Sequence, residues 1–134
     1  MTIVLDTNVL VSGIFFGGIP EEVLTRWSED RFQVYVTPSI LEEYLRVIER
    51  TESKKVDGAL KQHWKDMLPD VCHLVPDIQR PKRIARDAHD DKFVYCAITS
   101  GAKFLVTGDK DLLSLNDVFP FKILPPQDFM KILK

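Results

Sequence analysis

TIVLD (Thr2–Asp6) near the amino end and FLVTGD (Phe104–Asp109) near the other end share one arrangement, a short aliphatic run stopped by an acid. Continuous runs of Ile, Val and Leu this short suit strands covered on both faces of a parallel sheet, where neither side of the strand meets water. FQVYV (Phe32–Val36) reads as another strand, His73–Val75 as a short one closed by Pro76, and Phe121–Leu124 as an edge strand.

Helical patterns fill the intervals. Pro20 is well placed to open a helix, with Glu21 and Glu22 favourable in its first turn and Val23, Leu24 and Trp27 on one face. Thr37-Pro38-Ser39 announces a second, in which Ile40, Leu41, Tyr44, Leu45 and Ile48 recur with helical period until near Thr51. Ser53–Met67 predicts a third, carrying Val56, Leu60 and Trp64 around an interior Gly58. Asp90 or Asp91 starts a fourth through Phe93, Val94, Ala97 and Ile98, ended by Gly101. Asp111-Leu112-Leu113 suggests one helical turn, and Pro125-Pro126 precedes a last helix with Phe129 and Ile132. No element is assigned between Asp6 and Pro20. Strands alternating with helices imply right-handed crossovers and an α/β fold: a three-layer, open, mostly parallel, Rossmann-like sheet, with residues 1–134 forming one domain.

Composition agrees. At 134 residues and 45% hydrophobic content the chain can bury a real core. Its 18 basic against 20 acidic residues argue against a broad, non-specific nucleic-acid coat, which needs clustered Lys and Arg. They do not argue against a nuclease, because a metal ion can supply positive charge locally. Cys72 and Cys96 form no close pair, so free thiols in a reducing compartment are expected. MTIVLDTN lacks the order of a signal peptide and no apolar stretch reaches membrane length; a cytoplasmic protein without membrane association is the expectation.

Open α/β sheets build their sites beyond the carboxyl ends of the strands. Asp6 and Asp109 both fall there, and the pair Asp90-Asp91 opens the helix that precedes the second of those strands. Helix capping alone is a competing account of Asp90 or Asp91 and of Asp111. It serves Asp6 and Asp109 less well, since converging acids repel unless a cation lies between them, and Mg²⁺ or Mn²⁺ prefers hard carboxylate oxygens. Glu42 and Glu43 are about 100° apart on their helix, and Glu43 falls at the edge of the apolar stripe, either turned over the sheet or solvated. A phosphodiester suits such a cluster: Asp6 and Asp109 as principal metal ligands, Asp90 as a further one, and Glu43 ligating a second ion or orienting water. Thr7 and Asn8 are candidates to hold Asp6 or a phosphate oxygen, with Ser12 extending that network. Lys82, Arg83 and Arg86, with Lys92 or Lys110, are candidates for the nucleic-acid backbone or an ordinary solvated face. Trp27, Trp64 and Tyr44 lie in helical stripes, where core packing competes with stacking on bases. His63, His73 and His89 lack zinc-ligand spacing and receive no catalytic role.

Four segments in order resemble the PIN-domain family, in the branch that contains toxin components of toxin–antitoxin pairs. DTNVLVSG (Asp6–Gly13) is similar to its opening motif, SILEEYLRVI (Ser39–Ile48) to its glutamate helix, DAHDDKFVYCAITSGA (Asp87–Ala102) to its third motif and VTGDKDLL (Val106–Leu113) to its closing one. The resemblance spans nearly the whole chain. It implies an acidic quartet of Asp6, Glu43, Asp90 and Asp109, with Asp91 as the neighbour of Asp90 and with Asp87 and Asp111 as supporting acids. It further implies Mg²⁺- or Mn²⁺-dependent cleavage of single-stranded RNA, a cognate antitoxin protein as partner and a homodimer. Two rivals are weaker. An aspartyl phosphotransferase of the haloacid-dehalogenase type expects an acid at position 8, which is Asn8, and a phosphoacceptor receiver domain expects its acids elsewhere. The non-enzymatic alternative is a PIN-fold module that only binds RNA or protein.

Overall fold

The computed structural model describes residues 1–79, 82–85 and 87–133; Arg80, Pro81 and Arg86 of the basic stretch, together with Lys134, lie outside them. Strand β1 (Thr2–Leu5) leads directly into helix α1 (Thr7–Phe15), followed by α2 (Gly18–Ser28) and β2 (Gln33–Val36). Helices α3 (Pro38–Arg50) and α4 (Gly58–Val71) connect to β3 (His73–Leu74). A 3-10 turn (Ala88–Asp90) opens α5 (Asp91–Ser100), and β4 (Phe104–Val106), α6 (Lys110–Leu113), β5 (Lys122–Leu124) and α7 (Pro126–Leu133) complete the order.

The five strands run β3-β2-β1-β4-β5, and every pairing is parallel. Successive strands step outward from β1 to β3, and the chain then returns to place β4 on the other side of β1. The reversal puts a crevice between the carboxyl ends of β1 and β4, the usual place for a ligand in such sheets. Right-handed crossovers in opposite directions require helices on both faces, giving three layers. Helix α5 crosses against β1, β2 and β4. Ile3, Val4, Leu5, Leu105 and Val106 are buried completely, which is why β1 and β4 read as continuous apolar runs, whereas in β2 the buried Val34 and Val36 alternate with the less covered Gln33 and Tyr35. Phe129 of α7 meets Phe32 and Phe104 edge-on, at 5.2 and 5.8 Å between ring centres.

Three local differences from the expected elements have physical causes. Helix α1 occupies the stretch that carried no assignment. It is buried on most sides, so its sequence VLVSGIF shows no polar face for periodicity to reveal. Helix α2 begins at Gly18, before Pro20, from a left-handed Gly17 at φ 76°. Helix α4 starts at Gly58, not Ser53. The Asp57 carboxylate accepts from the Leu60 amide at 2.9 Å and caps it there, while Ser53–Val56 forms a tight turn. Gly58 is therefore a first-turn residue. Tyr44 is core: fully buried, it donates its hydroxyl to the Leu5 carbonyl at 2.5 Å and pins α3 to the end of β1. Trp27 and Trp64 are half-buried along a groove between α2 and α4, apart from the crevice.

Gly13 of α1 packs tightly against α2. A Cβ there would lie 2.6 Å from Leu24 Cδ1 and 2.8 Å from the Pro20 carbonyl oxygen. The second neighbour is backbone and cannot swing aside. Gly13→Ala is expected to destabilise the protein by about 1–3 kcal/mol through overpacking, as read from the urea midpoint; an unchanged midpoint would mean that the helices separate freely.

Candidate active site

Asp6 is the first residue past β1, and its amide donates to the Val106 carbonyl at 3.0 Å, extending the β1–β4 pairing by one rung. Helix α1 begins immediately, so Asp6 is also its N-cap, with Oδ1 accepting from the Asn8 amide at 3.4 Å. Its other oxygen accepts from the Thr107 hydroxyl at 2.6 Å, and that hydroxyl in turn accepts from the Asp109 amide at 3.0 Å. Asp109 stands just beyond β4 and caps α6, accepting from the Asp111 amide at 2.8 Å. Two strand ends thus deliver two acids to one crevice, locked by a single threonine.

The remaining acids come from helices. Asp90 ends the 3-10 turn whose cap is Asp87, and Asp87 points its carboxylate at the His89 amide at 3.0 Å. Glu43 projects from α3 into the same cleft, only 5% exposed. Asp6, Thr7, Asn8, Glu43, Asp90 and Asp109 line this cleft of about 330 Å³, with Arg46, Arg50, His89 and Phe93 completing its walls. Among the described residues, Asp90, Asp109 and Asp111 each offer a carboxylate oxygen within 4.8 Å of the others. Asp6 and Glu43 face the cleft but do not belong to that tightest group.

Each acid is treated differently. Burial pushes the Asp6 carboxyl up, against the lowering effect of Thr107 and the Asn8 amide, and the charges of Asp109 and Glu43 push it further. Burial also pushes Asp90 up, joined by Asp109, Asp6 and Asp87, until it titrates at about 7. Its buried Oδ2 has no hydrogen-bond partner. Burial acts in the same sense on Glu43, but there the Lys92 ammonium and Thr7 hydroxyl prevail, and the group lies below its ordinary value. Lys92 Nζ and Thr7 Oγ1 both donate to Glu43, and His89 Nε2 lies 2.7 Å from the same Oε1 as Lys92.

Several expectations change. Helix capping seemed a poor account of Asp6 and Asp109, yet both are N-caps, whereas Asp90 occupies a cap position without making the cap bond. Thr7 holds Glu43, not Asp6; the residue that holds Asp6 is Thr107. Asp91 is 7% exposed and turns away from the cleft, accepting from the Ile84 and Ala85 amides at 3.1 and 2.6 Å. It anchors a loop. Ser12 does not line the cleft; its carbonyl accepts from the Phe16 and Gly17 amides at the end of α1. His89, given no role from spacing, is a cleft residue. Thr107 was legible as the threonine of VTGD, whose hydroxyl suits a turn. The Lys92–Glu43 contact joins residues 49 positions apart and has no local signal.

An oxygen-only set with one buried, unsatisfied oxygen fits a hard divalent cation, which would neutralise carboxylates that otherwise repel. Such a set does not fit a soft or thiolate-bound metal. Cys72 and Cys96 are free thiols, both pushed by burial to about 12. Among the described residues no helix is long and apolar enough to cross a membrane.

A family model described as PIN domain matches residues 2–111. The uncharacterized protein MJ1680 of Methanocaldococcus jannaschii is 34% identical over 119 residues, spanning 86% of this chain and 75% of that protein. PAE2754 from Pyrobaculum aerophilum has a similar structure, with a TM-score of 0.65 at 15% identity, covering 99% of this chain and 89% of that one. VapBC2 from Rickettsia felis, solved bound to a DNA fragment from the promoter, gives a TM-score of 0.62 at 14% identity over 93% of this chain and 98% of that one. At such identities these two structures speak for the fold alone.

Asp90 has a measurable consequence for stability. Its folded value of about 7 exceeds the ordinary 3.8, so over the interval between them the folded state holds a proton that the unfolded chain has lost. Stability must then fall as pH rises through that interval. Glu43 acts oppositely, but its stabilisation is already complete above its ordinary 4.5. In metal-free buffer the Tm is expected to drop between about pH 4.5 and about pH 7, with the raised Asp6 adding in the same sense, and Asp90→Asn should make the slope shallower. Parallel slopes in the two proteins would assign the effect to another group.

Proposed function

The chain belongs to the PIN-domain family, and on that premise we propose that it is a metal-dependent endoribonuclease that hydrolyses phosphodiester bonds of single-stranded RNA. The observation that carries this reading is the buried, partnerless Oδ2 of Asp90, set among the carboxylates of Asp109 and Asp111 where a hard cation would satisfy all of them. Asp90, Asp109 and Asp111 would hold Mg²⁺ or Mn²⁺, with Asp6 beside them. A cation bound there would polarise a phosphoryl oxygen, lower the pKa of an attacking water and steady the leaving oxygen.

The chain's own groups do the remaining work. Thr107 orients Asp6 through Oδ2 and the Asn8 amide reaches Oδ1 at 3.4 Å, so that the carboxylate is held from both sides at the cleft. Glu43 stays ionised and gathers Thr7, Lys92 and His89 on one wall, presenting an ammonium and an imidazole to an incoming phosphate. Arg46 and Arg50, on the same wall of α3, supply further positive charge for the RNA backbone. Asn8, exposed at the rim, offers an amide to a phosphate or sugar oxygen. Arg86 lies outside the described residues and takes no part in this account.

The same reading extends to biology. The resemblance to the toxin branch, and a fold neighbour whose name is VapBC2, support a toxin that pairs with a cognate antitoxin protein, functions as a homodimer and works in the cytoplasm. The two free thiols accord with a reducing compartment.

The decisive experiment follows cleavage of a mixed-sequence single-stranded RNA with Mn²⁺, Mg²⁺ or EDTA. Cleavage should require metal and fall by roughly 100-fold or more in Asp6→Asn and Asp109→Asn, the scale of losing one preorganised electrostatic contact. Mn²⁺ should also raise the Tm of the intact protein, and Asp109→Asn should lose most of that rise. Equal cleavage in excess chelator would sink the metal assignment. RNA binding without turnover under every condition would leave a binding module instead.

A further inference from the structure

Helix α1 is covered around most of its circumference, and what it leaves open is a single stripe. Asn8, Ser12 and Phe16 recur at intervals of four, so they share one side of the helix, from the acid cleft to its C-cap. Asn8 and Phe16 are exposed and Ser12 is half-buried, whereas Val9, Leu10, Val11, Ile14 and Phe15 are covered. The stripe ends on a bare aromatic ring: Phe16, 68% exposed, is the most open large apolar side chain among the described residues.

Helix α3 packs alongside α1. Its Arg46 and Arg50 line the acid cleft together with Asn8. The chain that leaves α3 carries Lys54 and Lys55, both exposed, in the tight turn Ser53–Val56. That turn is tied to the end of α1, because the Ser53 hydroxyl donates to the Phe15 carbonyl at 3.4 Å. The two helices therefore form a seam with the acids at one end and Phe16, beside the lysine turn, at the other. From Asn8 to Phe16 it is about 12 Å long.

Charge along this seam is left unbalanced. Acids are numerous nearby, but each is occupied elsewhere. Glu49 accepts from Lys65 Nζ at 2.8 Å, Glu52 pairs with Lys61 at 3.5 Å, and Asp57 is spent on the Leu60 amide as the cap of α4. Glu21, in the first turn of α2, lines the groove between α2 and α4. Arg46 is shared at 3.9 Å between Glu42 and Glu43. Arg50, Lys54 and Lys55 make no side-chain hydrogen bond or ion pair among the described residues. In a chain of formal charge −2, these unmatched cations sit where the acid cleft opens and where α1 ends.

Unpaired cations in a row attract a phosphate backbone, and an exposed ring beside them offers a base a face to stack on. A duplex keeps its bases stacked inside, so only an unpaired strand can use both features at once.

We propose that the seam between α1 and α3 is a track for single-stranded RNA, leading the strand out of the acid cleft past Arg50 to Lys54 and Lys55, with one base stacked on Phe16. The proposal rests on the nuclease reading above and gives that site a footprint. The strand extends past the cleft on the side of Phe16, and its phosphates there meet the lysine turn.

The test uses binding without turnover. A labelled decauridine is titrated by fluorescence polarisation in Mg²⁺ against Asp109→Asn protein, in which asparagine retains the cap on α6. The side chains to be changed are exposed, so none of the substitutions opens the core. Adding Phe16→Ala should weaken binding by roughly 10-fold, the scale of one base stacked on one ring, with the salt dependence unchanged. Phe16→Tyr should keep the affinity and Phe16→Leu should lose it, which separates a stacked base from ordinary apolar contact. Lys54→Gln with Lys55→Gln should instead lower the slope of log K against log salt by roughly 1.4, about 0.7 for each phosphate released. No binding, affinity indifferent to Phe16→Ala, full affinity in Phe16→Leu, or an unchanged slope in the lysine variant overturns the track. Metal-dependent cleavage by the intact protein alongside binding indifferent to these positions would overturn the track alone. Binding that follows the expected pattern, with no cleavage of any RNA by the intact protein, would overturn the nuclease reading alone.

Discussion

Carboxylates crowded over the crevice between β1 and β4 repel one another, and the surrounding structure is organised to contain that repulsion. Two of them are spread into helix caps, so that part of their charge is met by the amides of α1 and α6. Glu43 is met by an ammonium, an imidazole and a hydroxyl. Asp91 is rotated out and spends both oxygens on a loop. Only Asp90 is left without compensation, and it responds by holding its proton up to about pH 7. A site that resolved this conflict fully within the protein would have no affinity left for a cation.

The threonine after β4 illustrates how much rests on few atoms. Thr107 is buried completely, and it receives from Asp109 and gives to Asp6. Without it the two strand ends would still pair, but their acids would be free to separate. Tyr44 plays a comparable part on the other side, tying the glutamate helix to the carbonyl of the residue before Asp6. Placement of the acids is therefore inherited from the sheet, through hydrogen bonds one residue away from the carboxylates.

Strands β1 and β4 were readable because they are short and almost entirely covered, so their hydrophobic runs have no interruptions, and the acids beyond their ends marked the crevice. Helix α1 was not readable for a related reason: a helix buried on most sides loses the polar face that betrays its period, and Asp6 looked like the end of a strand when it is also the start of a helix. Ser53–Val56 looked helical from composition, yet the cap bond of Asp57 outweighed it. At the cleft, acids that lie next to an apolar run could be named from local pattern. Their partners could not. Lys92 meets Glu43, and Thr107 meets Asp6, only because the strand order brings distant segments side by side. Asp77 on the Ser39 amide is another such pairing, 38 positions apart.

The rung of the sheet nearest the cleft pairs Leu5 with Val106, the first strand of the chain with its fourth. Loop closure over that span is entropically slow compared with the local pairing of helices. During synthesis from the amino end, β1 and β2 are available well before their later neighbour has been made. A nascent chain that has not yet reached Phe104 can tie Glu43 to Thr7 and α3 to Leu5, but it lacks Thr107, which holds Asp6, and Asp109, which completes the acid group. Completion of the cleft therefore waits until β4 has been made and has paired beside β1, whatever has folded before it.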